Sequence, residues 1–296
     1  MNGPIERLVF SGGGIRGISY LGALMALRDM YDKEPKDLGL KEIAGCSVGS
    51  LVALLVVLQM SIKEMEQFLD ALSLDALTEI NVDALLSTFA MNDGSCLYDM
   101  TRLAFSMKNI PETVTFKELA ALHPNGPKIH ISVTDLNTAS PKLFSVDTDP
   151  DMSVLKAVVA SMSLPPTFAP VKHNGSLLCD GGLMNNFPVQ TFPTKGTIGF
   201  RIAWYVDPTK PESILSYYTR VLSCIQVGNE KRELEYIKNN NLYVIMLDVG
   251  SLGTLRFDTN KTIREQISSS VLLGYRQANQ QLRVPIQIHS EPTAFL

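Results

Sequence analysis

The sequence predicts a three-layer α/β/α sandwich around a largely parallel central sheet, and three observations carry that expectation. Short apolar runs rich in β-branched and aliphatic residues alternate with longer segments of helical periodicity. Those runs show little polar alternation, as expected of strands covered by helices on both faces. The 296 residues are 45% apolar, enough to bury one large core.

The first strand is expected at 5–11, followed by a helix at 16–31 that opens after the glycine cluster of "LVFSGGGIRGISYLGAL" (8 to 24). A second strand at 42–46 leads through another glycine-flanked turn into a strongly apolar helical run at 48–71. From about 72 to 127 there is no strand signal. Helical patterns at 98–108 and 115–122, with turn formers such as Asn92, Asp93 and Gly94, read as an inserted helical cap, and ordinary core packing is the competing reading of its apolar stripes. Strands are expected next at 128–136, 142–146 and 176–180, with a helix at 153–162. The pattern closes with a strand at 197–206, a helix at 211–238, a strand at 242–249 and a helix at 259–283. The proline-containing "VDPTKPES" (206 to 213) marks a boundary, giving a main core at 1–206 with its cap at 72–127. The strand-helix portion at 207–296 is expected to pack on the same domain.

A formal net charge of -4, from 26 basic and 30 acidic residues with no basic run, gives no broad footprint for nucleic acid. Any membrane contact would then be mostly apolar. The longest apolar run, Val48 to Leu58, is too short to span a bilayer, and a strand beginning near Ile5 leaves no room for a cleaved leader. Cys46, Cys96, Cys179 and Cys224 are scattered and unpaired in pattern, which fits reduced thiols. The expectation is a soluble chain, cytoplasmic or peripheral at membranes.

The glycine cluster can be read in two ways. Gly12, Gly14 and Gly17 spell G-x-G-x-x-G, whose backbone N–H groups can cradle a dinucleotide pyrophosphate. A dinucleotide site also needs an acidic residue ending the second strand to hold the ribose. In that place stands "EIAGCSVGSLVALLVVL", where Gly45, Ser47 and Gly49 spell G-x-S-x-G between a strand and an apolar helix. That is the context of a nucleophile elbow, a strained turn that lifts a serine hydroxyl to the positive end of a helix. With Ser47 as nucleophile, Gly12, Gly13 and Gly14 become an oxyanion hole, where one missing donor typically costs about 3 kcal/mol of barrier. Arg16 either braces this loop, meets a lipid phosphate, or is an exposed first-turn residue.

A serine nucleophile needs a proton acceptor. An ordinary α/β hydrolase would use a late histidine after an acid, leaving His289 and Asp248, but nothing around His289 supports it. His123 and His173 lie in turn-rich segments, and His130 lies inside a strand. The better candidate is Asp180 in "LLCDGGLMNNFPV" (177 to 189), a carboxylate at a strand end, where ligands bind in this fold class. Partial desolvation would raise its pKa and suit it to act as a base without imidazole. Turn capping is the competing role for that aspartate.

Taken together, "GGGIRG", "GCSVG", "SMSLPPTFAPV" and "DGGLMNNFP" resemble the motifs of the patatin-like phospholipases, in order, over roughly residues 5 to 206. The resemblance implies a patatin-like fold and a Ser–Asp dyad, with the nucleophile on Ser47 and the aspartate on Asp180. It likewise implies oxyanion glycines on the Gly12 to Gly14 loop and the family arginine at Arg16, and it says little about the chain beyond Val206. The expected activity is hydrolysis of fatty acyl esters, of phospholipase A or lysophospholipase type, with a phospholipid or other acyl-ester lipid as substrate. Transient membrane-surface contact is expected; no cofactor or metal is, since neither EF-hand nor zinc-ligand spacing occurs. A dinucleotide-dependent oxidoreductase using the glycine loop, and a catalytically silent lipid-binding relative, are the rival readings.

Overall fold

The computed structural model of the protein describes residues 4–77, 88–203, 210–212, 214–249 and 263–283. Strands β1 (Arg7–Phe10), β2 (Glu42–Cys46), β3 (Lys128–Asp135), β4 (Ser140–Phe144), β5 (Val171–His173), β6 (Ser176–Asp180), β7 (Thr197–Ile202) and β8 (Tyr243–Leu247) form one sheet. Hydrogen-bonded neighbours follow the order β5-β6-β3-β2-β1-β7-β8, with β4 also on β3. The pairs β2/β3, β1/β2, β1/β7 and β7/β8 are parallel, and β3/β4, β3/β6 and β5/β6 antiparallel. The sheet is thus parallel at its centre and mixed on one side.

Side chains alternate across the sheet, so Leu8 and Phe10 join the main core with Ile43 and Ile131, while Val9 and Ala44 face a smaller core with Phe187 and Phe192. The main core is covered by α1 (Ser19–Tyr31), α2 (Val48–Val57) and α6 (Val154–Met162). On the opposite face, the smaller core takes Ile237 from α7 (Ile214–Asn239). The last helix, α8 (Ile263–Arg283), lies against α1 so closely that a Cβ at Gly22 or Gly274 would collide with the other helix's backbone. The C-terminal helix is therefore built into the main layer.

Gly49 to Val57 of α2 are all buried, as a helix apolar on every side must be. The single helix expected at 48–71 is two, because the chain turns at Gln59 with φ 59° and restarts as α3 (Ile62–Ala71). Ser61 caps the new helix and Glu64 reaches back to the Ser61 backbone, a capping box that satisfies N–H groups which a continuous helix would have paired internally. The apolar pattern runs through the break, which is why periodicity joined the two. The cap holds α4 (Ser95–Met107) and α5 (Phe116–Leu122), but Phe105 and Leu119 lie in the main core, so the cap is partly core packing. The strand expected at 197–206 is observed only to Ile202, and β5 was not expected. The segments 204–209 and 250–262, and His289 with them at the far end, lie outside the described residues. No helix among the described residues is long and apolar enough to cross a membrane.

One register positions the site. On β3, Ser132 pairs with Cys46 of β2 and Val133 pairs with Asp180 of β6, while β4 occupies the other edge of β3 over both residues. The parallel β2 and the antiparallel β6 therefore meet end to end along one edge of β3. Their C-terminal ends face each other, and Ser47 and Asp180 stand at the junction.

Candidate active site

Ser47 occupies the turn between β2 and α2 with φ 51° and ψ -130°, a backbone conformation that costs a non-glycine residue on the order of 1–3 kcal/mol. Its neighbours make the turn possible: a side chain at Gly45 would collide with the Gly49 carbonyl, and one at Gly49 with the Phe10 carbonyl of β1. The Ser47 amide donates to Ser161 Oγ at 2.9 Å, and that hydroxyl donates to the Ser132 carbonyl at 2.6 Å. Ser161, at the end of α6, thus ties the strained turn to β3. It lies within "SMSLPP", but only its place in space reveals this role.

The Ser47 hydroxyl donates to Asp180 Oδ2 at 2.7 Å. Asp180 Oδ1 accepts the Gly182 amide at 2.7 Å and the Cys46 thiol at 3.8 Å, and the Asp180 carbonyl accepts from Thr134 Oγ1. Burial of this carboxyl, which is 3% exposed, pushes its pKa up to about 6, against the opposing hydrogen bonds from Ser47, Gly182 and Cys46. The carboxyl does cap a short turn through Gly182, and holds the serine with its other oxygen.

The glycine loop splits between two roles. Gly13 and Gly14 line the cleft with Ser47 and Asp180. The Gly12 amide is already donated to the Asn186 carbonyl at 3.0 Å, and a Cβ at Gly12 would collide with the Asn186 side chain. Arg16 is buried, with Nε donating to the Gly13 carbonyl and a terminal nitrogen to the Ala203 carbonyl, each at 3.2 Å. It is turned from solvent and tied to the glycine loop and the end of β7, and burial lowers its pKa to about 10.

Above these groups opens a cleft of about 140 Å3, walled by Val48, Leu51 and Leu55 of α2, Phe68 of α3, and Leu97 and Met100 of α4. Leu222 and Gln226 of α7 complete the lining on another side. None of the three described histidines lies there: His123 follows α5, His173 sits in the β5–β6 hairpin, and His130 packs edge-on against Phe192 with Nε2 3.4 Å from Glu42. No acidic residue ends β2 to hold a ribose, and among the described residues no cluster of His, Cys, Asp and Glu could hold a metal ion.

The sequence profile of a family described as patatin-like phospholipase matches residues 8–193. A probable lipid hydrolase of Invertebrate iridescent virus 6 is 30% identical over 189 residues, 62% of this chain and 62% of that relative's length. VipD from Legionella pneumophila superposes with a TM-score of 0.63 at 17% identity over 95% of this chain and 67% of its own. Human GIVD cytosolic phospholipase A2 superposes with a TM-score of 0.50 at 10% identity, over 95% of this chain and 59% of its own. The two structures are likenesses of fold. With its glycine loop, elbow and aspartate turn all inside the matched span, the chain belongs to the patatin-like phospholipase family.

Proposed function

We propose that the protein is a serine carboxylic-ester hydrolase, cleaving fatty acyl esters of glycerophospholipids as a phospholipase A or lysophospholipase. The observation that carries the reading is the 2.7 Å hydrogen bond from Ser47 Oγ to a buried carboxylate at the base of an apolar cleft. Asp180 takes the Ser47 proton as Oγ attacks the acyl carbon, and its raised pKa makes it a better acceptor than an exposed aspartate. The Gly13 and Gly14 amides are the candidate donors to the resulting oxyanion, with Gly12 and Arg16 holding their loop in shape. Asp180 then returns the proton to the leaving alcohol, and water releases the acyl group from Ser47 by the same steps in reverse.

The acyl chain would lie along the leucines of α2 and α4, whose apolar surface offsets the cost of drawing a chain out of a bilayer. The viral relative's description as a probable lipid hydrolase supports a lipid substrate, and contact with a membrane surface follows from it. We further assign 1–206 as the catalytic core, 72–127 as its cap and 207–296 as part of the same unit, supported by the close crossing of α1 and α8.

A fluorophosphonate probe is expected to label Ser47, and mass spectrometry of a mixed vesicle is expected to show released fatty acid with matching lysolipid or glycerophosphodiester. Labelling that survives Ser47→Ala would place the nucleophile elsewhere. A folded, unlabelled wild-type chain would support a silent lipid-binding relative.

A further inference from the structure

Helix α7 is inside out. Its face toward the protein carries Ser223, Gln226, Asn229 and Glu233, all under 9% exposed. Its outward face carries Tyr217, Tyr218, Val221 and Ile225, of which Tyr217 is 58% exposed. At about 100° per residue the four apolar side chains and the exposed Cys224 fall within an arc of about 120°, and the buried polar residues lie on the opposite side. The usual rule for a surface helix, with its apolar stripe turned inward, is reversed here.

The inward half of the reversal has a clear use. Gln226 Nε2 donates to the Gly182 carbonyl at 2.5 Å, and Asn229 Nδ2 donates to the Gly182 and Leu183 carbonyls at 3.2 Å each. Glu233 accepts the Phe187 amide at 3.1 Å and Arg201 Nε at 3.2 Å. The polar face therefore grips the turn that follows Asp180. Among the described residues nothing covers the outward half, where four apolar side chains face out over about 12 Å of helix.

We propose that this stripe is the surface on which the protein docks to a lipid bilayer. Two observations favour lipid over protein. The same helix supplies Leu222 and Gln226 to the apolar cleft, so a bilayer seated on the stripe would lie beside the place where an acyl chain has to enter. The exposed apolar area is on the order of 300 Å2, well short of the roughly 800 Å2 per partner that a stable dimer needs. Tyrosine side chains, apolar in body and polar at the tip, suit the boundary between headgroups and acyl chains. Beyond Ile225 the exposed residues are mostly charged, with Lys231, Arg232 and Glu235 around a lone Leu234, which marks one end of the patch. Mixed signs there give no preference for anionic lipid.

The inference rests on the lipid-hydrolase reading, and its test reads binding rather than turnover. Cys224, with Cys96→Ser to remove the other partly accessible thiol, carries an environment-sensitive fluorophore in the full chain, which is then mixed with phosphatidylcholine vesicles. The expected result is a blue shift, quenching by lipid brominated high on the acyl chain, and little change on raising salt. Tyr217→Ser with Val221→Asp is expected to weaken vesicle partition about tenfold or more while leaving hydrolysis of a short soluble ester unchanged.

Co-sedimentation with vesicles that leaves the Cys224 fluorophore silent would put docking elsewhere and overturn the proposal. A chain that does not bind vesicles, a Cys224 that resists labelling in the native state, or a fluorophore buried by concentration-dependent dimers without lipid would overturn it too. A responsive fluorophore on a chain that hydrolyses no ester would keep the docking surface and sink the hydrolase reading instead.

Discussion

Replacing Asp180 by asparagine separates what the carboxylate does for chemistry from what it costs the fold. Asparagine keeps an oxygen for the Gly182 amide at the same position, but it cannot accept a proton from Ser47. Turnover is expected to fall by about a hundredfold or more. Stability is expected to move the other way. The folded-state pKa of about 6 lies above the unfolded value of 3.8, so the folded chain holds this proton more tightly. The sign follows: this group disfavours folding least below pH 3.8, and its penalty grows as pH rises through 6 and is complete above it. At about 1.4 kcal/mol per pH unit, the penalty at pH 8 is about 3 kcal/mol. Asp180→Asn should therefore melt roughly 5–10 °C higher than wild type at pH 8, with the difference shrinking toward pH 4. The wild-type kcat/KM should lose activity on the acid side with an apparent pKa near 6. Calorimetry at several pH values beside turnover of a soluble ester measures both effects. A folded Asp180→Asn enzyme within tenfold of wild type, or one whose melting keeps the wild-type pH dependence, would refute the reasoning. So would a folded but inactive His289→Gln enzyme beside an active Asp180→Asn.

Ser161→Ala leaves the Ser47 amide without its acceptor, which is expected to cost about 1–3 kcal/mol of stability and to lower kcat more than it raises KM, as steady-state kinetics would show. Leu97 and Phe105 share one helix but not one role. Leu97→Asp, in the cleft wall, should impair long-chain esters more than short ones, whereas Phe105→Ala should cost about 3–5 kcal/mol in denaturant unfolding and affect both substrates alike. Activity in excess chelator is expected to equal that without it, and a loss restored only by calcium would show a site that the described residues do not contain.

What was legible in the sequence was local. Ser47 announces itself because the elbow needs Gly45 and Gly49 beside it in the chain, and the Asp180 turn needs its own adjacent glycines. The glycine loop was legible as a loop, but not its division of labour: that the Gly12 amide belongs to Asn186 depends on a contact 174 residues away. Arg16 shows the same limit, since its burial depends on the carbonyl of Ala203 at the end of β7. Ser161 lies in a segment that could be quoted as a motif without a function, because its partners, Ser47 and Ser132, come from the turn after β2 and the middle of β3. The break at 58–61 is signalled only by the Ser61 and Glu64 capping box, while the apolar period runs on through it. The reversed polarity of α7 could not be read at all until its inner face was known.

The head-on meeting of β2 and β6 along β3 makes this site a proofreader of its own folding. Neither strand carries a working group alone, and the 2.7 Å contact exists only where Ser132 and Val133 have each found the right neighbour. A slip of one residue in either pairing shifts its end by about 3.4 Å and turns the side chain to the other face of the sheet. On the proposed function, a partly folded or misregistered chain would present Ser47 without its carboxylate partner and would leave an acyl ester uncut. On the lipid-hydrolase reading, this geometry amounts to a built-in delay: the chain would gain its activity only after two strands far apart in the sequence have each found their place on β3.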